Sequence, residues 1–343
     1  MSIRPCQAGD EAAWTAFVEQ SPAAHAYHQW KWAEVIAFGL GQRPCPLISF
    51  DAAGAVDGVL PLVRLTSRIF GDFIVSLPYL NYGGACAASP DVERQLVAAA
   101  VEMARAKGVQ HLELRLVAPD GFGLKVKSSK MAMRLKLPAD ADALWKALGA
   151  KLRNQVNRPI KEGMTATFGG LDELDAFYQV FSINMRDMGT PVYSRRFFAE
   201  ILRAFPDSSR ICTVYHQGEP LAAGFLVGFR GTLEIPWASS LKKANRLAPN
   251  MLLYWSVLKH ACESGYRVFD FGRSSPDAGT YRFKEQWGAI PVPLYWHYWL
   301  ANDGAVPEIN PANPKYQMAI NLWKRLPVTV TRLIGPAIVR NIP

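Results

Sequence analysis

A stretch late in the chain, residues 268–288, holds a group of side chains that could do chemistry together. It begins with a short apolar segment, 268–271, that predicts a buried strand, and continues through a loop that glycine and proline keep irregular. Charged and aromatic groups on a loop after a buried strand are held by a rigid scaffold, which is a common way to build a site. An ordinary surface loop with solvated charges is the alternative. The candidate side chains are Asp270, Arg273, Tyr281, Arg282, Lys284 and Trp287.

The helix and the glycine that should position this strand have a counterpart earlier in the chain. Residues 100–115, AVEMARAKGVQHLELR, align with residues 257–272, VLKHACESGYRVFDFG, and the alignment sets Glu113 over Asp270. Both segments read as a helix, a glycine that stops it and an apolar strand. The candidate site therefore follows the strand of a unit that occurs twice.

A predicted hairpin is repeated in the same way. Residues 47–65 align with residues 211–229, with Gly54 over Gly218 at the two turns. The identity is weak but the order of elements agrees, so two copies of one mixed α/β domain are predicted. Each copy should hold a mainly antiparallel sheet with a helix between its later strands, and two packed copies should leave a cleft for a ligand. The predicted divisions are 1–130, 131–300 and a basic, partly amphipathic tail at 301–343.

Local patterns add expectations about where elements start and stop. Asp10 is expected to cap the first helix, and residues 56–65 to form a single strand. One helix is expected to start at Asp140 and continue to residue 161. Pro159, near its end, should kink or end this helix.

Composition narrows the class of protein. The chain has 343 residues, half of them hydrophobic, which predicts a folded protein with a real core and two domains. The net charge of +9 suits phosphate-bearing, nucleic-acid or anionic-membrane partners, and it also suits mere solubility. The six histidines form no close cluster with cysteines or acids, so no structural zinc site and no bound cofactor are expected.

The same composition predicts a cytoplasmic location. Five scattered cysteines without a CxxC motif indicate reduced thiols. The N-terminal residues lack the apolar core of a signal peptide, and no uninterrupted apolar run is long enough to span a membrane.

Four segments of the second half carry a family resemblance. They are KLRNQVNR at 151–158, MRDMGTP at 185–191, FDFGR at 269–273 and YRFKEQWG at 281–288. With them the chain resembles the FemAB family of peptidoglycan-bridge aminoacyltransferases, whose members have two acyltransferase (GNAT-like) domains in tandem. The resemblance covers about residues 1–300. The tail is similar to that of FemAB-related proteins associated with PEP-CTERM/exosortase and exopolysaccharide loci.

The resemblance implies acyl transfer to an amine and places an essential lysine at Lys284. Such a transfer must align the amine, remove a proton and stabilise the tetrahedral oxyanion. Lys284 would stabilise the carbonyl oxygen or the leaving group, and a snorkelling surface lysine is the alternative. Asp270 lies on an apolar strand and is expected to be buried and paired, in a structural or a catalytic role.

Other side chains are expected to bind substrate. Arg273 and Arg282 could hold phosphates, because guanidinium suits bidentate phosphate contacts, or they could pair with nearby acids. Further substrate-binding candidates are Tyr281, Trp287 and Trp237, together with Asn81 and Tyr82 at the equivalent position of the first domain. A basic cluster could contact RNA or phosphate, with a solvated basic face as the alternative; its members are Lys151, Arg153 and Arg158.

The sequence also bears on the acyl donor. A GNAT domain that uses CoA cradles pyrophosphate on a glycine-rich turn at a helix N-terminus. The corresponding segment here, residues 246–251, lacks those glycines. This favours aminoacyl-tRNA as the donor, while acetyl- or acyl-CoA remains the alternative.

The acceptor is expected to be a cell-envelope or exopolysaccharide precursor. Relatives that act on peptidoglycan carry a coiled-coil insertion or a lysine in an early helix, where this chain has no insertion and has Ile36. A saccharide or another surface precursor therefore competes with a peptidoglycan acceptor. A CoA-dependent N-acetyltransferase and a non-catalytic assembly protein of a polysaccharide or protein-sorting system are the competing functions.

The tail combines cations with apolar residues and contains no acid after residue 308. This pattern predicts a short basic amphipathic helix that could touch an anionic membrane surface from the cytoplasmic side. Docking of the tail against the two domains is the alternative. Its cations are Lys315, Lys324, Arg325, Arg332 and Arg340.

Overall fold

A computed structural model describes residues 2–68, 70–116, 119, 121–276, 278–302, 304–307 and 314–342. The chain forms a mixed α/β fold with helices packed on mainly antiparallel sheets, as the sequence predicts. It divides into two compact units. The first consists of Met1–Lys130, Pro293–Ile309 and Val339–Pro343, and the second of Met131–Val292 and Asn310–Ile338. Within the tail, residues 303, 308–313 and 343 and the side chains of Pro314, Lys315 and Tyr316 lie outside the described part.

The elements are named here in chain order. The strands are β1 Ser2–Pro5, β2 Arg43–Pro44, β3 Leu47–Phe50, β4 Val56–Leu60, β5 Val63–Ser67, β6 Gly71–Val75, β7 Cys86–Ala87, β8 His111–Leu116, β9 Lys125–Lys136, β10 Thr165–Gly169, β11 Ser209–His216, β12 Glu219–Phe229, β13 Thr232–Ser240, β14 Val268–Ser274 and β15 Ile290–Leu300. The α-helices are α1 Glu11–Gln20, α2 Lys31–Leu40, α3 Pro90–Ala106, α4 Ala141–Ala147, α5 Ala150–Lys161, α6 Leu174–Met188, α7 Arg195–Ala204, α8 Pro249–Glu263, α9 Gly279–Glu285, α10 Pro314–Arg325 and α11 Val328–Val339.

The first unit holds two sets of strands. One sheet has the order β1-β3-β4-β7, and the other strands follow the order β15-β8-β6-β5-β2, in which β6 and β8 run parallel. Helix α3 packs on β3 and β4, where Gly58 leaves room for Val92 and Leu96. The hydrophobic core of the first unit is aliphatic, with Leu96 and Leu112 fully buried.

The second unit has the strand order β10-β11-β12-β13-β14-β9. All its described neighbours are antiparallel except β13 and β14, which run parallel with α8 as the crossover. Helices α6 and α8 pack on this sheet. The apolar stretch of α8 is buried along most of its length, which agrees with a crossover helix packed on a sheet.

The strand–helix–strand arrangement recurs in both units with the same register. The parallel pairing of β6 with β8 ends at Val75 and Glu113, and that of β13 with β14 ends at Glu234 and Asp270. The acids that the sequence alignment superimposes therefore hold the same place in the two ladders.

Three local expectations are wrong in whole or in part. Asp10 occupies the N-cap position of α1 as predicted, but its carboxylate makes no capping hydrogen bond to α1 and instead accepts from Arg4 and from the Gln7 N–H. The expected single strand at 56–65 is two strands in different sheets, because Pro61 and its neighbour interrupt the ladder between β4 and β5.

The expected long helix at 140–161 is also two helices. Asp140 caps α4 as predicted, but the backbone turns extended at Leu148 and Gly149 before α5 begins. Pro159 lies inside α5, which continues to Lys161 rather than ending at the proline.

Candidate functional site

A β-bulge in β14 forms the centre of the site. Asp270 pairs with Arg134 of β9 and Arg273 pairs with Ala132, so β14 carries one extra residue between these pairs. Gly272 lies in the bulge with φ of 71°, a left-handed backbone conformation that glycine adopts without a Cβ clash. The bulge turns backbone groups of β14 away from the regular ladder.

The carboxylate of Asp270 fixes the bulge. One oxygen accepts the Gly272 N–H at 2.8 Å, and the other accepts the Arg134 Nε–H at 3.0 Å. Asp270 is 1% exposed, so the prediction that it is buried and paired is correct. Because both oxygens are engaged, the geometry favours a structural, positioning role over proton transfer.

Lys284 reaches back from α9 to the bulge. Its Nζ donates to the carbonyl oxygens of Gly272 at 3.2 Å and Arg273 at 3.0 Å. The residue is only 7% exposed, so it is not the snorkelling surface lysine of the alternative interpretation. An ammonium carries three protons, and these two bonds leave one of them to donate elsewhere.

Burial and nearby charges set the pKa of Lys284. This pKa is lowered from the ordinary 10.5 to about 8, because the effect of removal from water outweighs that of the Asp270 and Glu234 carboxylates, which raise it; the Arg273 guanidinium lowers it as well. The ammonium is therefore the main form at neutral pH, yet its proton is held less tightly than that of an exposed lysine.

The parallel ladder of β13 and β14 stops beside this lysine. Its last described pair is Glu234 with Asp270, although β13 continues to Ser240 and β14 to Ser274. Beyond this pair the described residues show no ladder between the facing edges of the two strands. Such an edge could receive an extended ligand through backbone hydrogen bonds.

A pocket of about 520 Å³ adjoins the chain segment that contains Lys284. Its walls combine the end of β9, one side of α4 with the turn into α5, and the residues that directly follow Lys284. The lining is mainly apolar with a few polar groups, as is usual for ligand pockets. The residues are Leu135, Lys136, Leu137, Pro138, Ala143, Leu144, Ala147, Leu148, Gly149, Glu285, Gln286, Trp287 and Gly288.

The other predicted residues of α9 and β14 fall into two groups. Tyr281 and Arg273 are half-buried and Arg282 is exposed, so these side chains can meet a ligand. Trp287 is buried, with its ring near Tyr254 and Phe283, and it also lines the pocket. Its aromatic contacts make it a packing residue first.

Trp237 belongs to a buried aromatic cluster. Its ring lies 5.2 Å from that of Phe198 and 5.7 Å from that of Phe225, in edge-to-face geometry, and it is 8% exposed. These contacts account for the residue through packing of the second unit.

The basic cluster on α5 is divided by the structure. Lys151 and Arg158 are exposed at helical spacing on one face, where they can meet phosphate. Arg153 instead donates to the carbonyl oxygens of Lys146 and Leu148, at 3.3 and 2.9 Å, and thereby stabilises the end of α4.

In the first unit, Asn81 and Tyr82 lie buried in the loop after β6. The rings of Tyr82 and His25 are 5.4 Å apart. These two candidates belong to the first unit, whereas Lys284 belongs to the second. The main side-chain contacts at the end of β8 are made by a residue that was not predicted as part of a site.

That residue is Arg115, which the sequence alignment sets over Gly272. Its guanidinium group binds the Glu113 carboxylate at 2.8 Å and the Leu80 carbonyl oxygen, and it stacks over the ring of Trp296. Arg115 is 1% exposed. In the first unit a buried ion pair therefore occupies the position that is equivalent to the bulge of the second unit. A sequence comparison of the two repeats could have found it, since arginine faces glycine there.

A segment of the second unit matches a known domain family. Residues 150–285 match the model of the Acetyltransf_6 family, described as acetyltransferase (GNAT) domain, and this segment contains Asp270 and Lys284. The match supports the predicted acyltransferase class.

Solved structures share the fold over nearly the whole chain. The crystal structure of FemX has a TM-score of 0.67 at 15% identity and covers 93% of this chain and 100% of its own. The C-terminal domain (DUF2156) of a putative lysylphosphatidylglycerol synthetase from Agrobacterium fabrum has a TM-score of 0.59 at 16% identity, covering 92% and 95%. A tandem GNAT protein from the clavulanic acid biosynthesis pathway has a TM-score of 0.52 at 14% identity, covering 89% and 99%.

At such identities these likenesses establish the fold alone. The predicted resemblance to FemAB-like tandem GNAT proteins is thus confirmed at the level of fold and of the GNAT domain. The comparison with curated proteins found no match.

Replacing Asp270 by Asn should lower the pKa of Lys284 below about 8, because the carboxylate that favours the ammonium is removed. The measurement is an NMR titration of the lysine Cε resonances. Asp72→Asn, which removes the acid of an ion pair with Arg64 in the first unit, is the matched control and should leave that pKa unchanged. An unchanged or raised pKa in Asp270→Asn would contradict the electrostatic role of Asp270.

Proposed function

We propose that this protein is an N-acyltransferase that moves an aminoacyl or acyl group from an activated donor to an amine of a cell-envelope or exopolysaccharide precursor. The observation that carries the proposal is Lys284, a buried ammonium held by two backbone carbonyls with one proton left to donate. It lies within the segment that matches a GNAT domain.

The chemistry asked of this lysine is electrostatic. The amine attacks the carbonyl carbon of an ester or thioester, a C–N bond forms, and the carbonyl oxygen becomes an oxyanion. A donor fixed in advance where charge develops stabilises that state more than it stabilises the substrate. The remaining Nζ proton of Lys284 supplies such a donor, because the carbonyls of Gly272 and Arg273 hold the ammonium in place.

In the second half of the reaction, the proton lost by the amine is matched by the proton that the leaving group takes up. As the tetrahedral state collapses, the bond between the acyl carbon and the leaving oxygen or sulfur breaks, and the leaving group takes up a proton. The amine loses one proton when it becomes an amide, so no external acid is consumed. Lys284 also suits stabilisation of the leaving group, since its lowered pKa makes proton donation easier.

The start of α8 supports aminoacyl-tRNA over CoA as the donor. Pro249 at the first helical position has no N–H, and the Met251 N–H donates to the Ala248 carbonyl. The first turn therefore offers few backbone donors for a pyrophosphate. Exposed Lys151 and Arg158 on α5 would contact the phosphates of an RNA.

A CoA-dependent N-acetyltransferase is the second candidate. It is favoured by the match of residues 150–285 to an acetyltransferase domain. It is also favoured by the end of the β13–β14 ladder at Glu234 and Asp270, where an extended arm could lie between the strands.

The acceptor is proposed to be a saccharide or other surface precursor rather than only a peptidoglycan peptide. Ile36 is fully buried in α2, so this position brings no charge to an acceptor phosphate. The pocket lined by the residues after Lys284 has a mainly apolar wall that suits the body of such a substrate. We further propose that the reaction takes place at the inner membrane surface, where lipid-linked acceptors are made.

Lys284→Met should reduce acyl transfer at least about 100-fold, as removal of an oxyanion donor does in other enzymes. Stability should change by less than about 2 kcal/mol, because relief of the buried charge offsets the two unpaired carbonyls. Transfer is measured with radiolabelled aminoacyl-tRNA or acetyl-CoA and a panel of amino-sugar and peptidoglycan precursors. Lys259→Met, at an exposed lysine of α8, is the control that should keep full activity. Full activity in Lys284→Met would favour the non-catalytic assembly function.

Transfer at saturating acceptor should fall as the pH rises through about 8, because the ammonium of Lys284 is the active form. Lys284→Arg should retain part of the activity and lose this fall, since guanidinium stays charged. The folded chain binds this proton less tightly than the unfolded chain. The contribution of Lys284 to the free energy of unfolding therefore rises as the pH increases from about 8 to the ordinary pKa of 10.5. Loss of activity in that range would not come from unfolding at Lys284. Activity that rises through pH 8 in the wild type and not in Lys284→Arg would indicate a neutral, basic lysine instead.

Lys151→Gln combined with Arg158→Gln should weaken binding of aminoacyl-tRNA and reduce its salt dependence, because two phosphate contacts are lost. Binding of CoA should not change. Fluorescence anisotropy with labelled tRNA and calorimetry with CoA give the two affinities. Tight CoA binding accompanied by transfer from acetyl-CoA would overturn the tRNA assignment and establish the second candidate.

A further inference from the structure

The two helices of the tail dock on the second unit through one face only. In α10, Ile320 packs against Gly189 and Trp323 is 9% exposed. In α11, Gly335 packs against the backbone of Val192 and Thr331 is 1% exposed. The contacts of this docked face fix how each helix is rotated about its own axis.

Polar contacts hold the same arrangement. The Arg332 Nε–H donates to the Ser182 hydroxyl at 2.8 Å, and its guanidinium lies over the Tyr178 ring. Arg186 donates to the carbonyl oxygen of Leu326, in the turn between the helices, at 3.1 Å. The helices are therefore fixed to the unit, and their other face has a defined direction.

The other face is apolar although it is exposed. On α11, Val330, Leu333 and Ile334 lie at i, i+3 and i+4, and Leu333 is 79% exposed. On α10, Met318 and Leu322 are 75% and 64% exposed. A helix packed on a globular unit normally turns its polar side to water, so large apolar side chains in these exposed positions are unusual, although Gln317, Asn321 and Thr329 are exposed as well. We name the five apolar side chains the outer apolar face.

The charged residues of the two tail helices themselves have one sign. Residues 314–342 contain five cations and no Asp or Glu. Lys324 and Arg325 are exposed at the end of α10, next to the turn that joins the helices. Arg325, at i+7 from Met318, lies on the side of the outer apolar face, whereas the stem of Lys324 passes Gly189 on the docked side. Arg332 and Arg340 are engaged in internal hydrogen bonds and do not serve a partner.

We propose that the outer apolar face inserts into the surface of an anionic phospholipid bilayer, with Lys324 and Arg325 at the headgroups. Apolar side chains beside exposed cations match the boundary between acyl chains and anionic headgroups. A second copy of the same face would bring these cations together, which disfavours self-association. Among the helices that the structure describes, none is long and apolar enough to cross a membrane, so this contact lies in the interface plane.

This inference deepens the proposed function, because it gives the acyl transfer a place beside lipid-linked acceptors. It is tested without any transfer, so either idea can fail while the other stands. The full chain is mixed with vesicles of phosphatidylcholine plus phosphatidylglycerol, or of phosphatidylcholine alone, and sedimented. Binding should occur with the anionic vesicles and weaken as salt is added.

Leu333→Ser with Ile334→Ser should lower the partition coefficient at least about tenfold, because two large apolar groups no longer enter the bilayer. Lys324→Gln with Arg325→Gln should remove most of the preference for phosphatidylglycerol. The matched control is Leu171→Ser with Ile290→Ser, which removes exposed apolar side chains elsewhere and should bind as the wild type does. Circular dichroism and melting of each variant verify that it is folded.

Hydrogen exchange locates the contact. With anionic vesicles, added protection should fall on residues 314–339. The proposal is overturned by absence of binding to anionic vesicles, by equal loss in the control variant, or by protection confined to other segments. It is also overturned if light scattering finds a dimer that Leu333→Ser with Ile334→Ser dissociates while vesicles do not bind, since the face then joins two copies.

Discussion

The second unit depends on keeping one ammonium group out of water. A buried charge is costly unless hydrogen bonds and opposite charges compensate it, and Lys284 has both. Gly272 permits the bulge, Asp270 holds it, and the bulge presents two carbonyl oxygens to Nζ. Each of these features serves the lysine, because a regular strand would commit its carbonyls to the ladder.

The two units show what one scaffold can do with the same position. In both, a parallel strand pair ends at a buried acid, Glu113 or Asp270. In the first unit Arg115 closes the position with an internal ion pair, and the Tyr298 hydroxyl donates to the other oxygen of Glu113. In the second, glycine replaces the arginine and a lysine arrives from a following helix with a proton to spare. The reaction proposed above is therefore assigned to the second unit, where the ammonium keeps a proton to donate.

Much of this was readable from the sequence. Both hairpins and the helix, glycine and strand that precede the candidate site followed from local patterns. The bulge did not, since register is set by cross-strand pairing that a single sequence hides. At Trp237 and Trp287 the sequence could not separate packing from binding, because an aromatic side chain that packs and one that binds have the same sequence signal. Arg153 stabilises a helix end that was expected to be continuous helix.

In the proposed reaction Lys284 does not distinguish between acyl donors, because an oxyanion forms whether the leaving atom is oxygen or sulfur. Discrimination must come from groups that meet the rest of the donor, at a distance from the reacting carbonyl. The start of α8 offers few amides, since Pro249 lacks one and Met251 uses its own. The exposed cations of α5 lie on a separate helix of the same unit. A donor recognised through a long phosphate backbone uses such scattered charges, whereas a single pyrophosphate needs a focused cradle. This contrast is the physical ground on which we propose aminoacyl-tRNA rather than CoA as the donor.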